Sequence, residues 1–589
     1  MEKRWQFAWV LPGILGLGLG LRLWQLGLKP IWLDEVITAL FGLGRSYLDV
    51  PLAQVLPVNA VEQVFRWRPE TTCSQIVETV TVQSVHPPLF FCWLHHWLGW
   101  LEPLNRPWLW KIRAFAVVFG VVAIAALYQL NRVLFSRRAG WLGAAFMAVS
   151  PFAVYLSQEA RHYTLPMVLI TLALLGTYQV YWDLHEGRKR PWLWLGWVTV
   201  NALGFYVHYF FVLSFMAQVM TLGLCLWLDA HVEKKLPAKS ATNAITPRFP
   251  AIPSFAVKQY FPQQWRHLTL LTLAVCLTYL PWVPIFYGHI TRSETDWMQP
   301  TGPKWSHGIA PLYQLPGGWV TMLITLPVER QPLWLKIFCG AVMLIFCGWV
   351  LGHLVRRLRR LWQSPQARPG LRLLLLYLLV VLIEFFGIIY LLNKDLTLVP
   401  RYNFIYFPAV VALVGAGLAV SSEVTQPLAH RYRLAAIVLT VATLSSGLTV
   451  NNWAFQKPYY PDEIARHIQS TPTTPSLVGI LTRDWQDVAL GLSVALAMEP
   501  VVPQKPDFSS HVFLLPRSPE IGQAWSAIAQ LPAPFVPPFH FWVVAPRLPR
   551  EQFPAELSLE GDRQQPLICQ IDSSQHYRRE IAHQLYRCQ

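Results

Sequence analysis

Residues 371–392 read LRLLLLYLLVVLIEFFGIIYLL, an apolar run interrupted only by Arg372 and Glu384. A helix of about 20 predominantly apolar residues crosses the hydrocarbon core of a bilayer, and this stretch meets that length. Comparable runs lie near 7–24, 113–134, 140–156, 163–183, 192–207, 210–229, 267–288, 333–355, 402–420 and 432–450. The sequence therefore predicts a polytopic α-helical membrane protein with about 11 transmembrane helices. Segments 88–101 and 317–328 are borderline, so counts of 11 to 13 are compatible with the pattern. The first run lacks a small-x-small cleavage site and is followed by further spans, so it is read as a helix and not as a signal peptide.

Composition agrees. Of 589 residues 54% are hydrophobic and 14% charged, with mean hydropathy +0.34; soluble domains carry about 25% charged residues. The 28 Trp and 21 Tyr suit a membrane–water interface. A net charge of +16 raises the question of nucleic acid. The basic residues do not form one patch, however. They fall in short clusters between apolar spans (Arg137-Arg138, Arg188-Lys189-Arg190, Lys234-Lys235, Arg356-Arg357 with Arg359-Arg360), which excludes a nucleic-acid partner and is the positive-inside pattern.

That pattern sets an expected orientation in a plasma (inner) membrane. Lys3-Arg4, 135–139, 184–191, 231–266, 356–370 and Arg431/Arg433 fall on the cytoplasmic side. The outer side receives 25–112, 157–162, the turn at His208, 289–332, 393–401 and everything after 450. Segment 88–101 is read as an interfacial helix of the first outer loop. The loop 231–266, rich in Pro, Ser, Thr and Lys, is expected to be a partly disordered connector.

Residues 1–452 thus form a transmembrane domain, and 453–589 a small extracytoplasmic α/β domain. In the latter, apolar strings at 477–481, 512–515 and 541–544 read as buried strands, with helical periodicity over 461–469, 484–498 and 518–530. No GxGxxG or P-loop occurs there. Cys225, Cys276, Cys339 and Cys347 lie in apolar spans as packing residues, whereas Cys73, Cys92, Cys569 and Cys588 lie outside. A disulfide such as Cys569–Cys588 is compatible with that placement, although spacing alone does not fix a pairing.

On this topology the polar motifs collect on one face: Asp34-Glu35, His86-Pro87-Pro88-Leu89, Ser157-Gln158-Glu159-Ala160-Arg161-His162-Tyr163, His208-Tyr209 and Pro400-Arg401-Tyr402. Each has a plain structural reading. Asp34 can cap a helix and Glu35 complement its dipole, Pro suits a helix entry, Glu159 and Arg161 can pair locally, His208 and Tyr209 can satisfy each other at an interface, and Arg401 can snorkel. Their convergence on one face is harder to explain structurally. Together they suit glycosyl transfer from a lipid phosphate, with a carboxylate as base and guanidiniums on the phosphate. The runner-up is a non-catalytic transporter or flippase of lipid-linked sugars, which calls for polar residues at mid-bilayer depth.

The ordered set of a DE pair, HPPL, Arg113 opening the next span, SQEAR-x-Y, an HY turn and a late PRY resembles the bacterial relatives of protein O-mannosyltransferases and lipid A aminoarabinose transferases. These are polyprenyl-phosphate-sugar-dependent glycosyltransferases of the C-type membrane fold, and the resemblance covers about residues 1–420. It implies that Asp34 is the catalytic base with Glu35 its catalytic neighbour. Glu159 would position substrates, Arg161, Arg401 and Arg113 would address the lipid phosphate, and His86, Tyr163, His208, Tyr209 and Tyr402 would shape the site. It also implies a polyprenyl-phosphate-linked sugar donor and a protein, lipid or cell-envelope glycan acceptor. A divalent metal near His86 is compatible with the resemblance but not required by it, because His86 is followed only by Pro and hydrophobes where some relatives have an acidic residue or Lys.

Overall fold

The computed structural model describes residues 9–233, 254–299, 304–420, 432–470, 474–498, 510–517, 520–561, 566–577 and 581–589. Lys3-Arg4, Lys234-Lys235, Arg431 and most of the 231–266 connector lie outside the described residues. The chain forms two compact units, one of residues 1–26, 85–90 and 114–455, the other of 27–84, 91–113 and 456–589. The first outer loop is therefore grouped with the C-terminal segment, where the sequence predicted a linear division at 452/453.

The first unit is helical. Seven helices among the described residues are long and apolar enough to cross a membrane: Trp108–Leu134, Thr164–Glu186, Phe211–His231, Pro262–Ile290, Leu333–Trp362, Arg368–Leu391 and Arg433–Val450. An eighth span is formed if the bent pair Arg137–Val149 and Pro151–Ser157 counts as one. The remaining runs fold as shorter helices, Val10–Leu23, Pro191–Val207 and Phe407–Ala419. Helix Lys304–Leu323 covers the borderline 317–328 region, carries Pro311 and Pro316, and is not among the seven. Large apolar side chains such as Leu344, Ile345 and Leu351, or Leu379 and Ile383, are exposed along these helices. Lipid accommodates such a surface, and water does not. The protein is a polytopic helical membrane protein.

The bent pair decides where the second motif stands. Pro151 has no N–H, so the carbonyl of Met147, four residues earlier, loses its helical donor, and the 58° bend frees its neighbours as well. In a membrane interior such carbonyls need other partners. Fully buried Arg22 supplies two of them, Nη2 donating to Met147 O at 3.0 Å and Nη1 to Ala148 O at 2.9 Å. Ser446 Oγ donates to Val149 O at 2.7 Å. Arg22 Nε also reaches Ser157 Oγ at 3.0 Å, while Gln158 Nε2 donates to Trp24 O at 2.8 Å and Arg22 O at 3.2 Å. Ser157 and Gln158 of the SQEAR motif are thus ties to the end of the first helix.

Elsewhere the helices are joined by satisfied polar links. Gln218 accepts from Thr177 Oγ1 and Trp197 Nε1, each at 3.0 Å, and donates to Asn201 Oδ1 at 3.0 Å. Helices Arg137–Val149 and Phe407–Ala419 approach to backbone contact through glycine: a Cβ at Gly415 would lie 2.5 Å from Gly143 Cα and 2.6 Å from Asn131 Nδ2. Asn131 in turn donates to Ala139 O and Ala412 O. Small residues that admit such an approach are a recurrent membrane-helix interface.

The second unit is built on a mixed seven-stranded sheet of β1 (Leu56–Pro57), β2 (Ser476–Thr482), β3 (Ser510–Pro516), β4 (Phe539–Val544), β5 (Glu556–Glu560), β6 (Pro566–Tyr577) and β7 (His583–Cys588), in the order β1-β3-β2-β4-β7-β6-β5. Strand β2 is buried throughout and pairs in parallel with β3 and β4, which is why it reads as a continuous apolar string. Helices Trp485–Ala497 and Ile521–Ile528 make the crossovers. The three strands and three helices predicted here are present. The antiparallel extension β7-β6-β5 was not predicted, nor was β1, which comes from the first outer loop and pairs with β3 (Leu56↔Val512). The 88–101 segment forms helix Leu89–Leu101. Leu94 packs on Gly42, Phe91 meets Phe41 edge-on, and His95 Nδ1 lies 3.1 Å from Gly42 O, so the face carrying Phe91, Leu94, His95 and Leu98 belongs to a packed core. Disulfides Cys73–Cys92 and Cys569–Cys588 close loops within this unit.

Two outcomes are expected. Gly415→Leu should lower the thermal midpoint of the detergent-solubilised protein, an overpacking cost of about 1–3 kcal/mol, whereas Gly340→Leu, where open space surrounds the missing Cβ, should not; equal midpoints would contradict the close crossing. Denatured without reductant, the protein should present four thiols to maleimide and eight after reduction, and eight before reduction would contradict the disulfides.

Candidate active site

Within the second unit, Asp34 and Glu35 occupy the first turn of helix Leu33–Gly42. The N-cap is Trp32, which makes no side-chain cap, so Asp34 is not the capping residue that its sequence position allowed. The exposed first amide, Leu33 N, donates instead to the Tyr459 hydroxyl at 2.6 Å, and that hydroxyl also meets Ser493 Oγ at 3.1 Å. Burial raises the Tyr459 phenol well above its usual range and keeps it protonated.

The two acidic side chains have different surroundings. Glu35 is 1% exposed and held by Arg113, itself 1% exposed, with Nε donating to Oε1 at 2.9 Å and Nη2 to Oε2 at 2.7 Å. Arg113 Nη2 also reaches Pro30 O at 3.5 Å. A carboxylate gripped at both oxygens by a desolvated guanidinium stays ionised and cannot readily take up a substrate proton. The pair thus engages both oxygens of Glu35, expected as a catalytic neighbour, and the guanidinium of Arg113, expected at the phosphate.

Two lysines complete this cluster, neither of which the sequence reading singled out. Lys29 follows the first helix. Burial, with Arg113 adding to it and Glu35 opposing, pushes its ammonium down to about 7. Lys457 places Nζ 4.2 Å from the Trp32 ring centroid. Burial brings it too to about 7, against the pull of Glu35 and Asp34 and with the push of Lys29 and Arg113.

The first unit carries a second cluster in the turn 158–163 and the segments around it. Glu159, Arg161, His162 and Tyr163 are all buried. Arg161 Nη2 donates to His86 Nε2 at 3.2 Å, which puts the His86 proton on Nδ1. His162 lies between His86 (centroids 5.0 Å, rings tilted) and His208 (4.5 Å, edge-on). Phe210 N donates to His208 Nδ1 at 3.0 Å, so His208 carries its proton on Nε2. Burial pushes His86, His162 and His208 well below the usual histidine range, reinforced at His86 by Arg161, His289 and Arg401 and at His162 by His208, Arg161, His86 and Arg401. These rings are therefore neutral, and the positive charge of the cluster resides in Arg161 and Arg401. Arg401 lies over Trp297 and Tyr402, each 5.8 Å to the centroid. Tyr209 hydroxyl contacts His289 Nδ1 at 2.5 Å and accepts from Trp282 Nε1.

The structure thus brings His86, Arg161, Tyr163, His208, Arg401 and Tyr402 into one cluster with Tyr209 beside it, and Asp34, Glu35 and Arg113 into another. Sequence reasoning missed His162 and His289. The first had a signal, since it lies inside the SQEARHY motif; the second, at the end of a long span, had none. Among the described residues no group of three or more His, Cys, Asp or Glu is arranged to hold a metal ion.

The ion pair yields a test. Arg113→Met should strand a buried carboxylate and destabilise the protein by about 3–5 kcal/mol, while the double variant Glu35→Leu/Arg113→Met should recover part of the lost thermal midpoint. A double variant less stable than Arg113→Met would contradict the pairing.

Residues 86–251 match the family described as dolichyl-phosphate-mannose-protein mannosyltransferase. Among solved structures the chain is similar to ArnT from Cupriavidus metallidurans bound to undecaprenyl phosphate (12% identity, 98% of each chain, TM-score 0.47). It is also similar to the oligosaccharyltransferase of Archaeoglobus fulgidus in complex with Zn and sulfate (14% identity, 83% of this chain and 61% of that one, TM-score 0.40), and to AglB from the same organism with an inhibitory peptide and a dolichol-phosphate (14% identity, 84% and 64%, TM-score 0.42). The chain thus spans less than two thirds of the length of the archaeal proteins. No curated protein matches it by sequence. Residues 86–251, which hold the HPPL, SQEAR-x-Y and HY motifs, carry the sequence of the mannosyltransferase family, and the resemblance drawn from those motifs is borne out there.

Proposed function

We propose that the protein is an inverting glycosyltransferase that moves a sugar from a polyprenyl-phosphate carrier to a protein, lipid or cell-envelope glycan acceptor on the outer face of the membrane. The observation that carries the reading is the separation of the two acidic neighbours: Glu35 is committed to Arg113, so Asp34 is the carboxylate of the pair suited to accept a proton. The acceptor hydroxyl or amine attacks the anomeric carbon while its proton passes to Asp34. The bond from that carbon to the phosphate oxygen breaks, and its electron pair leaves with the polyprenyl phosphate. A phosphate is a good leaving group without a strong general acid, and the transition state has oxocarbenium character.

Arg161 and Arg401 are the cations suited to the departing phosphate, because a guanidinium offers fixed charge and paired donors. The neutral His86, His162 and His208 shape that cluster and donate or accept without adding charge. Glu35, held by Arg113, acts as a positioning residue for the helix that presents Asp34. The two disulfides of the second unit support an oxidising, extracytoplasmic setting.

The test is transfer in proteoliposomes with a panel of labelled undecaprenyl-phosphate sugars. Asp34→Asn should lose about 10²–10⁴ in rate while remaining folded, and Arg161→Ala should weaken use of the lipid donor. Transfer at the wild-type rate by folded Asp34→Asn would overturn the assignment of the base.

A further inference from the structure

Of the seven long membrane helices among the described residues, Leu333–Trp362 is the least enclosed by protein. Its two faces are unlike. Cys339, Met343, Val350 and Leu354, at helical spacing, are buried. A Cβ at Gly417 would lie 2.7 Å from Leu354 and 3.7 Å from Leu358, so this face packs on helix Phe407–Ala419. The opposite face carries Phe338, Ile345, Trp349, Gly352, Arg356 and Arg360, all exposed. With about 3.6 residues per turn, these six fall along one line of the helix.

Along that line the chemistry changes in the order of a phospholipid. Apolar side chains come first, then a notch at Gly352, where open space surrounds the missing Cβ, and last two guanidiniums. The apolar part, Leu333 to Val355, rises about 33 Å at about 1.5 Å per residue. A hydrocarbon core of about 30 Å therefore puts Arg356 and Arg360 at the level of the headgroups. Arg356 Nε donates to Gly352 O at 3.0 Å, which holds the side chain along the notch. Arg359 is a third exposed guanidinium beside them. Two neighbouring arginines serve the protein instead: Arg357 Nη1 reaches Leu418 O at 3.4 Å, and Arg368 lies over the Trp362 ring at 5.4 Å. No Asp or Glu occurs from residue 330 to 383. A topology signal needs only net charge on one side of the membrane. It does not need arginines that continue the lipid-facing line.

We propose that this face binds an anionic phospholipid of the surrounding bilayer. Its phosphodiester sits on Arg356 and Arg360 with Arg359 beside them, and an acyl chain runs over Gly352 and along Trp349 and Ile345. Guanidiniums suit a phosphate through fixed charge and paired donors, and basic groups at the ends of membrane helices hold anionic headgroups. A zwitterionic lipid brings its own cation, which three guanidiniums repel. The exposed apolar line below the arginines favours a lipid over a free anion. None of the residues assigned to sugar transfer belongs to this face, so the inference stands apart from the catalytic reading.

The experiment adds lipids to the full chain in neutral detergent and reads bound adducts by native mass spectrometry together with the thermal midpoint. Phosphatidylglycerol should be retained and should raise the midpoint, while phosphatidylcholine with the same acyl chains should do neither. Arg356→Gln/Arg360→Gln should weaken the apparent affinity for phosphatidylglycerol about tenfold or more, and Arg356→Lys/Arg360→Lys should keep most of it. Arg137→Gln/Arg138→Gln removes the same charge elsewhere and should leave the affinity unchanged. Gly352→Leu fills the notch without meeting a neighbour, and should weaken binding with the lipid-free midpoint unaltered. Equal retention of the two lipids by the wild type overturns the proposal, and so does a loss in the Arg137/Arg138 variant equal to that in the Arg356/Arg360 variant. Glycerol phosphate that raises the midpoint as much as the lipid also overturns it, since an anion alone would then suffice. The lipid comparison needs only the wild type, so it decides even if a variant fails to fold.

Discussion

A buried ion pair organises the acidic cluster. Taking a carboxylate and a guanidinium out of water costs several kcal/mol per ion, and only close geometry with further hydrogen bonds offsets that loss. Glu35 and Arg113 have that geometry, with two short hydrogen bonds between side chains that are both almost wholly enclosed. The pair ties helix Leu33–Gly42 to the start of helix Trp108–Leu134. It also makes two adjacent acids chemically unlike, because Glu35 is fixed by a guanidinium at both oxygens and Asp34 is not part of that grip. Glu35→Asp would shorten the reach and lose the bidentate grip even though the charge is unchanged.

The same rule, that buried polar groups must be satisfied, places the other cluster. The break at Pro151 frees the carbonyls of Met147, Ala148 and Val149, and Arg22 and Ser446 take them up. Arg22 and Gln158 then hold the turn that carries Glu159, Arg161, His162 and Tyr163. A helix kink that looks like a local defect is therefore what brings the SQEAR segment out of the helix and into a buried turn. The imidazoles beside it are kept neutral by burial and by the arginines, which leaves the positive charge of the turn and its surroundings on Arg161 and Arg401.

Much of this was legible in the sequence because apolar length and periodicity are direct physical signals. Among the described residues the apolar runs are helical, with the 140–156 run broken at Pro151, and the α/β core strands lie where the three short apolar strings are. What escaped notice had weak local signals. A two-residue edge strand, Leu56–Pro57, has no periodicity to read, so the union of the first outer loop with the C-terminal sheet was invisible. Strands β5 to β7 alternate polar and apolar residues and gave no apolar string. The pairing of Glu35 with Arg113 had no signal because the sequence places them 78 residues apart, and only folding brings them together. Lys457 and Tyr459 sit just past the last apolar run, at a composition change that reads only as a domain boundary.

The central claim is that one carboxylate drives a single displacement at the anomeric carbon while its neighbour takes no covalent part. The anomeric configuration of the transferred sugar, read by nuclear magnetic resonance on the first product formed from an undecaprenyl-phosphate donor of known configuration, tests it most directly. Direct attack assisted by Asp34 predicts inversion. Retention would require a glycosyl-enzyme intermediate on a second carboxylate and would contradict the account.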